Sequence, residues 1–399
     1  MAEEKKKDID WIKETEYLMS QDGLPRIFKE IDKVLREYMD MDEGAYNIVS
    51  LWILGTYLHK QFSSYPYLYF NAMKGSGKTR MLNIIANLSK NGKLQGAVTK
   101  AGIFRSKGTY CIDEFEGVGR KGNEDLRELL NGAYKRGSII TRYDDVKKKP
   151  EGEEFNIYRP IALANIWGME NVLADRCISI ILEKSSRKEI INLMEGFEEN
   201  IEFQTIRGGL KRITENFTDD LNYFGSLKQE WFNFVKGLKY DERYKELFSK
   251  VEKGNINGRH LELFFPLFII ADMISQEILD EVIETAKGII KDKKEQDREE
   301  NREIQIYEFV SQYPNTNFIS VSELVKSFKD FSGLEEDWVN ATWFGRGLRR
   351  LNLVSDKRRK GTRREVKLNI EKAQEKIKIF RDSEELDLKE ELQEVFKDG

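Results

Sequence analysis

Residues 67–79, Tyr-Leu-Tyr-Phe-Asn-Ala-Met-Lys-Gly-Ser-Gly-Lys-Thr, constrain this chain more than any other stretch. An apolar strand runs into a glycine loop, and the run Met81–Leu88 behind it has helical spacing. Glycines at 75 and 77 let backbone N–H groups turn inward around phosphate oxygens, and the following helix adds the positive end of its dipole. Gly75, Ser76, Gly77, Lys78 and Thr79 therefore form a candidate phosphate cradle, with Lys78 placed for β- and γ-phosphates and the Thr79 hydroxyl for Mg2+. Ala72 stands where the usual pattern has its first glycine. A strand, loop and helix in this order commit the surrounding residues to an α/β fold with a largely parallel sheet.

The flanking sequence extends that fold. Short apolar runs alternate with helical patterns from Tyr65 to about Lys184, and the expected strands are Tyr67–Asn71, Thr109–Asp113, Ile161–Asn165 and Cys177–Leu182. Residues 1–45 read as helical, with Ile27, Ile31, Val34, Leu35 and Tyr38 on one face, and a second helix is expected over Asn47–Phe62. Residues 185–300 hold no convincing strand and end in the charged stretch Lys291–Arg302, which marks a helical region and linker. Farther on, helices near Gln305–Gln312 and Val321–Phe331 precede Trp343–Leu351. A strand pair near Leu353–Ser355 and Arg364–Leu368 follows, the order expected of a winged helix-turn-helix. The last residues, 382–399, hold eight acids and two lysines and read as an exposed acidic tail. The expected domains are thus an N-terminal helical segment (1–45), an α/β core (46–184), helices and linker (185–300), a winged helix (301–381) and the tail (382–399).

Composition limits the partners. With 66 Lys+Arg against 70 Asp+Glu, the net charge of −4 announces no basic protein, so any basic surface must be local. Residues 301–381 supply one, with 17 Lys/Arg against 11 Asp/Glu. Arg346, Arg349 and Arg350 lie at helical spacing, and Lys357, Arg358, Arg359, Lys360, Arg363 and Arg364 fall on the expected wing, a pattern suited to DNA phosphates. The neighbouring Phe328, Phe331, Trp338, Trp343 and Phe344 read as core. Cys111 and Cys177 are the only cysteines and sit in apolar runs, which excludes a disulfide framework and fits a reducing cytoplasm. Two histidines and two cysteines also argue against zinc. The longest apolar run, Leu263–Ala271, is too short to span a membrane, and the charged N-terminus lacks the apolar stretch of a signal peptide.

Nucleotide hydrolysis needs a carboxylate for the metal and a group that orients water. Asp113 and Glu114, ending Thr109-Tyr-Cys-Ile-Asp-Glu, are the candidates for those two roles. Between them and Asn165, residues 138–158 form two β-rich halves around a polar tip, the pattern of a hairpin. Lys147, Lys148 and Lys149 sit near that tip, where they can meet successive phosphates of a strand or be balanced by Asp144, Asp145 and Glu151.

The phosphate loop, Asp113-Glu114, Asn165 at the end of the next apolar strand, and Leu173-Ala-Asp-Arg176 together resemble the ATPase core of hexameric AAA+ DNA helicases. The likeness covers roughly residues 45–290. It is greatest to the minichromosome maintenance-like (MCM-like) replication helicases of mobile elements, and it extends to the superfamily 3 helicases of viruses and plasmids. Asp113 follows Lys78 by 35 positions, which is shorter than typical MCM spacing and closer to superfamily 3. The resemblance implies an AAA+ core with a helical lid, ATP and Mg2+ as cofactors, and a cytoplasmic ring, a hexamer, that moves on DNA and separates strands. It makes Asn165 the sensor that aligns the lytic water. Arg176 becomes the arginine that reaches a neighbour's γ-phosphate, and Arg259 the second sensor at the start of a lid helix. The hairpin before Asn165 would touch single-stranded DNA in the channel. Two other readings stay open: an ATP-switched, DNA-bound initiator or regulator without unwinding activity, and a small-molecule P-loop kinase.

Overall fold

The computed structural model describes residues 23–96, 107–113, 124–142, 153–165, 171–194, 196–216, 223–300, 302–314, 317–333, 339–360 and 363–377. The chain divides into two compact units, Met1–Ile290 and Lys291–Gly399.

The first unit begins with α1 (Leu24–Tyr38) and α2 (Glu43–Gly55), then β1 (Tyr67–Ala72) and α3 (Lys78–Leu88). Next come β2 (Lys93–Gln95), β3 (Tyr110–Ile112), α4 (Glu124–Gly132), β4 (Ile139–Arg142), β5 (Glu153–Asn156), β6 (Ile161–Asn165), α5 (Asn171–Ala174) and β7 (Cys177–Leu182). The helices α6 (Lys188–Ile191), α7 (Ile201–Asn216), α8 (Tyr223–Val235), α9 (Lys245–Lys253), α10 (Gly258–Ile274) and α11 (Gln276–Glu300) complete the series.

Five strands pair in parallel in the order β2-β3-β6-β1-β7. Side chains alternate across such a sheet, and the alternation builds two cores. Leu68, Phe70, Cys111, Ala162, Ala164, Ile178 and Ile180 bury one face in the larger core, which also holds Ile31, Leu35, Trp52, Ile85 and Phe268. Tyr67, Tyr69, Tyr110, Ile112, Ile161, Leu163 and Cys177 bury the other face with Leu129, Leu130 and Tyr134. Burial on both faces explains why these strands read as nearly continuous apolar runs. The edge strand β2 was not among the expected strands: it is three residues long, polar, and held by backbone pairing to β3.

In α1 every apolar position at helical spacing is buried, and Pro25 opens the helix where a missing N–H costs nothing. The second helix runs over Glu43–Gly55, earlier than the expected Asn47–Phe62, and a 3-10 turn covers His59–Gln61. The Tyr65 hydroxyl donates to the Trp52 carbonyl (2.7 Å) and lies 2.3 Å from where a Cβ on Gly55 would stand, so only glycine fits there. Strands β4 and β5 pair antiparallel from Ile139↔Asn156 to Arg142↔Glu153, the stem of the expected hairpin; its tip lies outside the described residues. Described residues between 185 and 300 form no strand, as expected. Among the described residues no helix is long and apolar enough to cross a membrane.

In the second unit, α12 (Arg302–Ser311), β8 (Ile319–Ser320), α13 (Val321–Ser332), α14 (Ala341–Arg350), β9 (Val354–Lys360) and β10 (Arg363–Leu368) follow in order. The strands form an antiparallel sheet ordered β8-β10-β9. Ile306, Phe309, Leu324, Phe328, Phe344 and Leu348 fill its core. The Ser320 hydroxyl caps α13 at Glu323 N–H (3.2 Å), and the Asn340 side chain caps α14 at Thr342 and Trp343 N–H. Strand β9 runs on through the basic residues to Lys360 because pairing with β10, not burial, holds it. Phe331 departs from its expected core role and is 43% exposed; Trp338 lies outside the described residues.

Candidate active site

Strand β1 ends at Ala72 and delivers the chain into the loop 73–77 above the sheet. Gly75 and Gly77 adopt φ of +82° and +85°, the left-handed region that reverses the chain and turns successive N–H groups to one side. Gly77 is the N-cap of α3. The Ser76 hydroxyl donates to Met73 O (2.8 Å) and braces the loop from within. Asp113, just past β3, comes to the same place. Its Oδ2 accepts from the Thr79 hydroxyl at 2.6 Å, and its Oδ1 lies 3.9 Å from Lys78 Nζ. Both ionic side chains are only about one-seventh exposed, 13% and 14%. Asp113, distant in sequence, is thus brought to Lys78 and Thr79.

Glu114 lies outside the described residues. Asn165 ends β6, which is inserted between the loop strand β1 and the Asp113 strand β3; the register sets Asn165 beside Asn71 and Leu163 beside Ile112. Its backbone is therefore at the loop end of the sheet, between the two strands that carry the site.

Arg176 and Arg259 lie elsewhere, and together. Tyr67 N–H donates to Arg176 O (3.0 Å), so Arg176 marks the start of β1, whereas the phosphate loop follows the end of that strand. Five strand steps at about 3.3 Å separate the two levels by about 16 Å. The Arg176 guanidinium donates to Asn131 O (2.8 Å) and to Val172 O, and its carbon stands 5.3 Å from the centre of the Tyr134 ring. Arg259, in the first turn of α10, places its guanidinium carbon 5.2 Å from the same ring and donates Nη1–H to the Tyr134 hydroxyl (2.6 Å). Arg259 also pairs with Glu262 and, at 3.4 Å, with Asp175. Partial burial works against its charge, but Glu262, Tyr134 and Asp175 outweigh that and hold its pKa above the usual arginine value.

Among the DNA candidates, Lys147, Lys148 and Lys149 lie outside the described residues. Arg346, Arg349 and Arg350 are exposed on α14, where Arg349 Nε donates to Gly345 O (3.1 Å). Lys357, Arg358 and Arg359 are exposed on β9, but alternation splits them. Arg358 turns to its cross-strand neighbour Glu365 (2.6 Å) and lies 4.2 Å from the Phe318 ring centre, which engages it internally. Lys360, Arg363 and Arg364 belong to the paired strands; their side chains are outside the described residues.

Sequence reading did not single out three residues. Tyr134 gathers both arginines, yet a lone aromatic after a helix carries no signal beyond core. Arg80, one residue past Thr79, donates to Ile190 O (2.8 Å) and Leu193 O (2.9 Å) and ties the phosphate-loop helix to the chain beyond the sheet. Lys184 Cε stands 3.5 Å from the position of a Cβ on Gly75, so this lysine sits against the loop; its place after β7 was the only available hint.

No protein-family model matches this chain, and no curated protein matches it in sequence. Solved structures do. The A-form apo structure of the NrS-1 C-terminal region aligns over 86% of this chain and 75% of its own at 12% identity, with a TM-score of 0.35. SCCmec type IV Cch, described as an active helicase, aligns over 81% of this chain and 67% of its own, also at 12% identity, with a TM-score of 0.37. At likenesses this distant, the chemistry is read from the site's own residues.

Proposed function

We propose that this chain is an ATP-hydrolysing AAA+ motor that assembles as a ring, a hexamer as in the helicases it resembles, and translocates on DNA to separate strands. The observation that carries the reading is the separation of Arg176 and Arg259 from their own phosphate loop. At about 16 Å along the sheet they lie beyond an arginine's reach of the nucleotide held by the same subunit, which supports a role toward a neighbour's.

Mg2+ and ATP fit the residues present. Two left-handed glycines leave the loop free of side chains that would crowd a phosphate, and Asp113 already contacts both Lys78 and Thr79. Lys78 would bind the β- and γ-phosphates, and Thr79 with Asp113 would hold Mg2+, which neutralises charge on those oxygens when bound. Glu114 orients and deprotonates the attacking water, Asn165 aligns it, and Arg176 stabilises charge on the γ-phosphate of the adjoining subunit. Lys147, Lys148 and Lys149 grip the strand in the channel. The second unit, read as the winged helix, contacts DNA through Arg346, Arg349, Arg350, Lys357 and Arg359.

The test is subunit mixing. Arg176→Ala should bind ATP nearly normally yet hydrolyse it on the order of 10³-fold more slowly. Lys78→Ala is dead in its own site but keeps an intact arginine. Mixed oligomers should therefore exceed either variant alone. If mass measurement confirms mixing and no activity returns, Arg176 does not act between subunits.

A further inference from the structure

We infer that Tyr134 is a positioning residue that binds Arg176 and Arg259 into one rigid donor group at the end of the sheet where β1 starts. The inference rests on the reading of Arg176 as an arginine supplied to a neighbour, and it adds what holds that arginine in place.

Two guanidinium carbons each lie within 5.3 Å of one ring centre, so two like charges share one small volume. Such a pair repels unless something between them attracts both. The negative face of an aromatic ring does so, at about 0.5–2 kcal/mol for each cation according to its exposure to water. Tyr134 adds direction, because its hydroxyl accepts from Arg259 Nη1 (2.6 Å) and orients the planar fork.

Tyr134 is itself fixed. It is 4% exposed, its carbonyl accepts from Tyr65 N–H (2.9 Å), and its ring meets Tyr67 edge-on at 6.5 Å. The three participants come from three separate segments: the turn after α4, the turn before β7, and the first turn of α10. Asp175 lies beside Arg176 in the chain and pairs with Arg259, which links the same segments a second time. Lys135 reaches Glu262 at 3.3 Å and stands 5.7 Å from the Tyr134 ring centre. Among these described residues, three cations stand with two acids. Through this ring a movement of α10 would be passed to Arg176.

The experiment uses the full chain. Tyr134→Phe keeps the ring and removes the hydroxyl acceptor; Tyr134→Leu removes the π face as well but keeps an apolar body in the core. In the assembled protein, kcat for ATP should fall on the order of 10-fold in the first and 10²-fold in the second, the scale of a misplaced catalytic group, while KM stays within about twofold. Mixing either variant with Lys78→Ala should restore hydrolysis, because an intact Tyr134 then holds the arginines facing a working phosphate loop. Should Tyr134→Leu fail to fold, Tyr134→Phe decides alone. Wild-type kcat in Tyr134→Phe overturns the inference. So does a loss that mixing does not repair while Arg176→Ala is repaired, since Tyr134 would then act on its own subunit. If Arg176→Ala itself is not repaired, the reading beneath falls, and the inference with it.

Discussion

Gly77 shows how a single residue sets the chemistry of the loop. At φ +85° a non-glycine residue carries about 1–2 kcal/mol of backbone strain, and a Cβ there would also meet Met39 Cε at 3.2 Å. Gly77→Ala should therefore lower unfolding free energy by about 1–2 kcal/mol and weaken nucleotide binding, because the loop relaxes by re-aiming its N–H groups. Thermal unfolding with and without Mg–ATP reads both effects; unchanged midpoints in both conditions would contradict the loop geometry. Ala72 makes the converse point. It replaces the first glycine of the usual pattern, yet it is the last residue of β1 and is buried in extended backbone, where an alanine methyl suits the core better than glycine. The phosphate cradle was legible in the sequence because its residues are consecutive. Tyr134 was not, because its role exists only where three distant segments meet.

At the scale of elements, legibility followed burial. Strands β1, β6 and β7 are apolar on both faces and announce themselves, whereas β2 and β8 are short and owe their existence to backbone pairing that no side-chain pattern encodes. Helix α10 is apolar nearly all round and packs Leu263, Phe264, Leu267, Phe268 and Ile270 into the larger core. That surrounding also traps Asp272. Desolvation raises its pKa above 3.8, although Gln276 donates to its Oδ1 at 2.7 Å and pulls the other way. A carboxyl whose folded pKa is raised binds its proton more tightly when folded. Its contribution to stability is thus full below pH 3.8 and is lost as pH rises through the folded value. Asp272→Asn keeps the acceptor for Gln276 without the charge, so it should raise the thermal midpoint at neutral pH. The advantage should shrink to nothing in acid; a variant no more stable than wild type at pH 7 would refute the assignment.

At the scale of the whole molecule, charge is the organising quantity: the balanced total hides an exposed basic face on the second unit. Arg346 and Arg350 on α14, with Lys357 and Arg359 on β9, are among its described and exposed members, apart from Arg349, which bonds Gly345 O, and the Arg358–Glu365 pair. Replacing these four by Gln in the full chain should weaken DNA binding. It should also flatten the plot of log affinity against log salt by about 0.9 for each duplex phosphate that the variant no longer neutralises, or about 0.7 on single strands. An unchanged slope in a binding titration would assign this face to another task.

The two ends of the parallel sheet carry opposite chemistry, phosphate loop at one and paired arginines at the other. A contact that joins unlike ends is heterologous, so successive copies all point the same way, and growth stops only when the rotation closes on itself. On the proposed ring reading, an open row of such subunits would have an unused arginine end at one terminus and an incomplete nucleotide site at the other. Closure removes both defects in one event. Adding the last subunit therefore completes two sites where every earlier addition completed one, which makes hydrolysis per subunit a direct readout of whether the circle is shut.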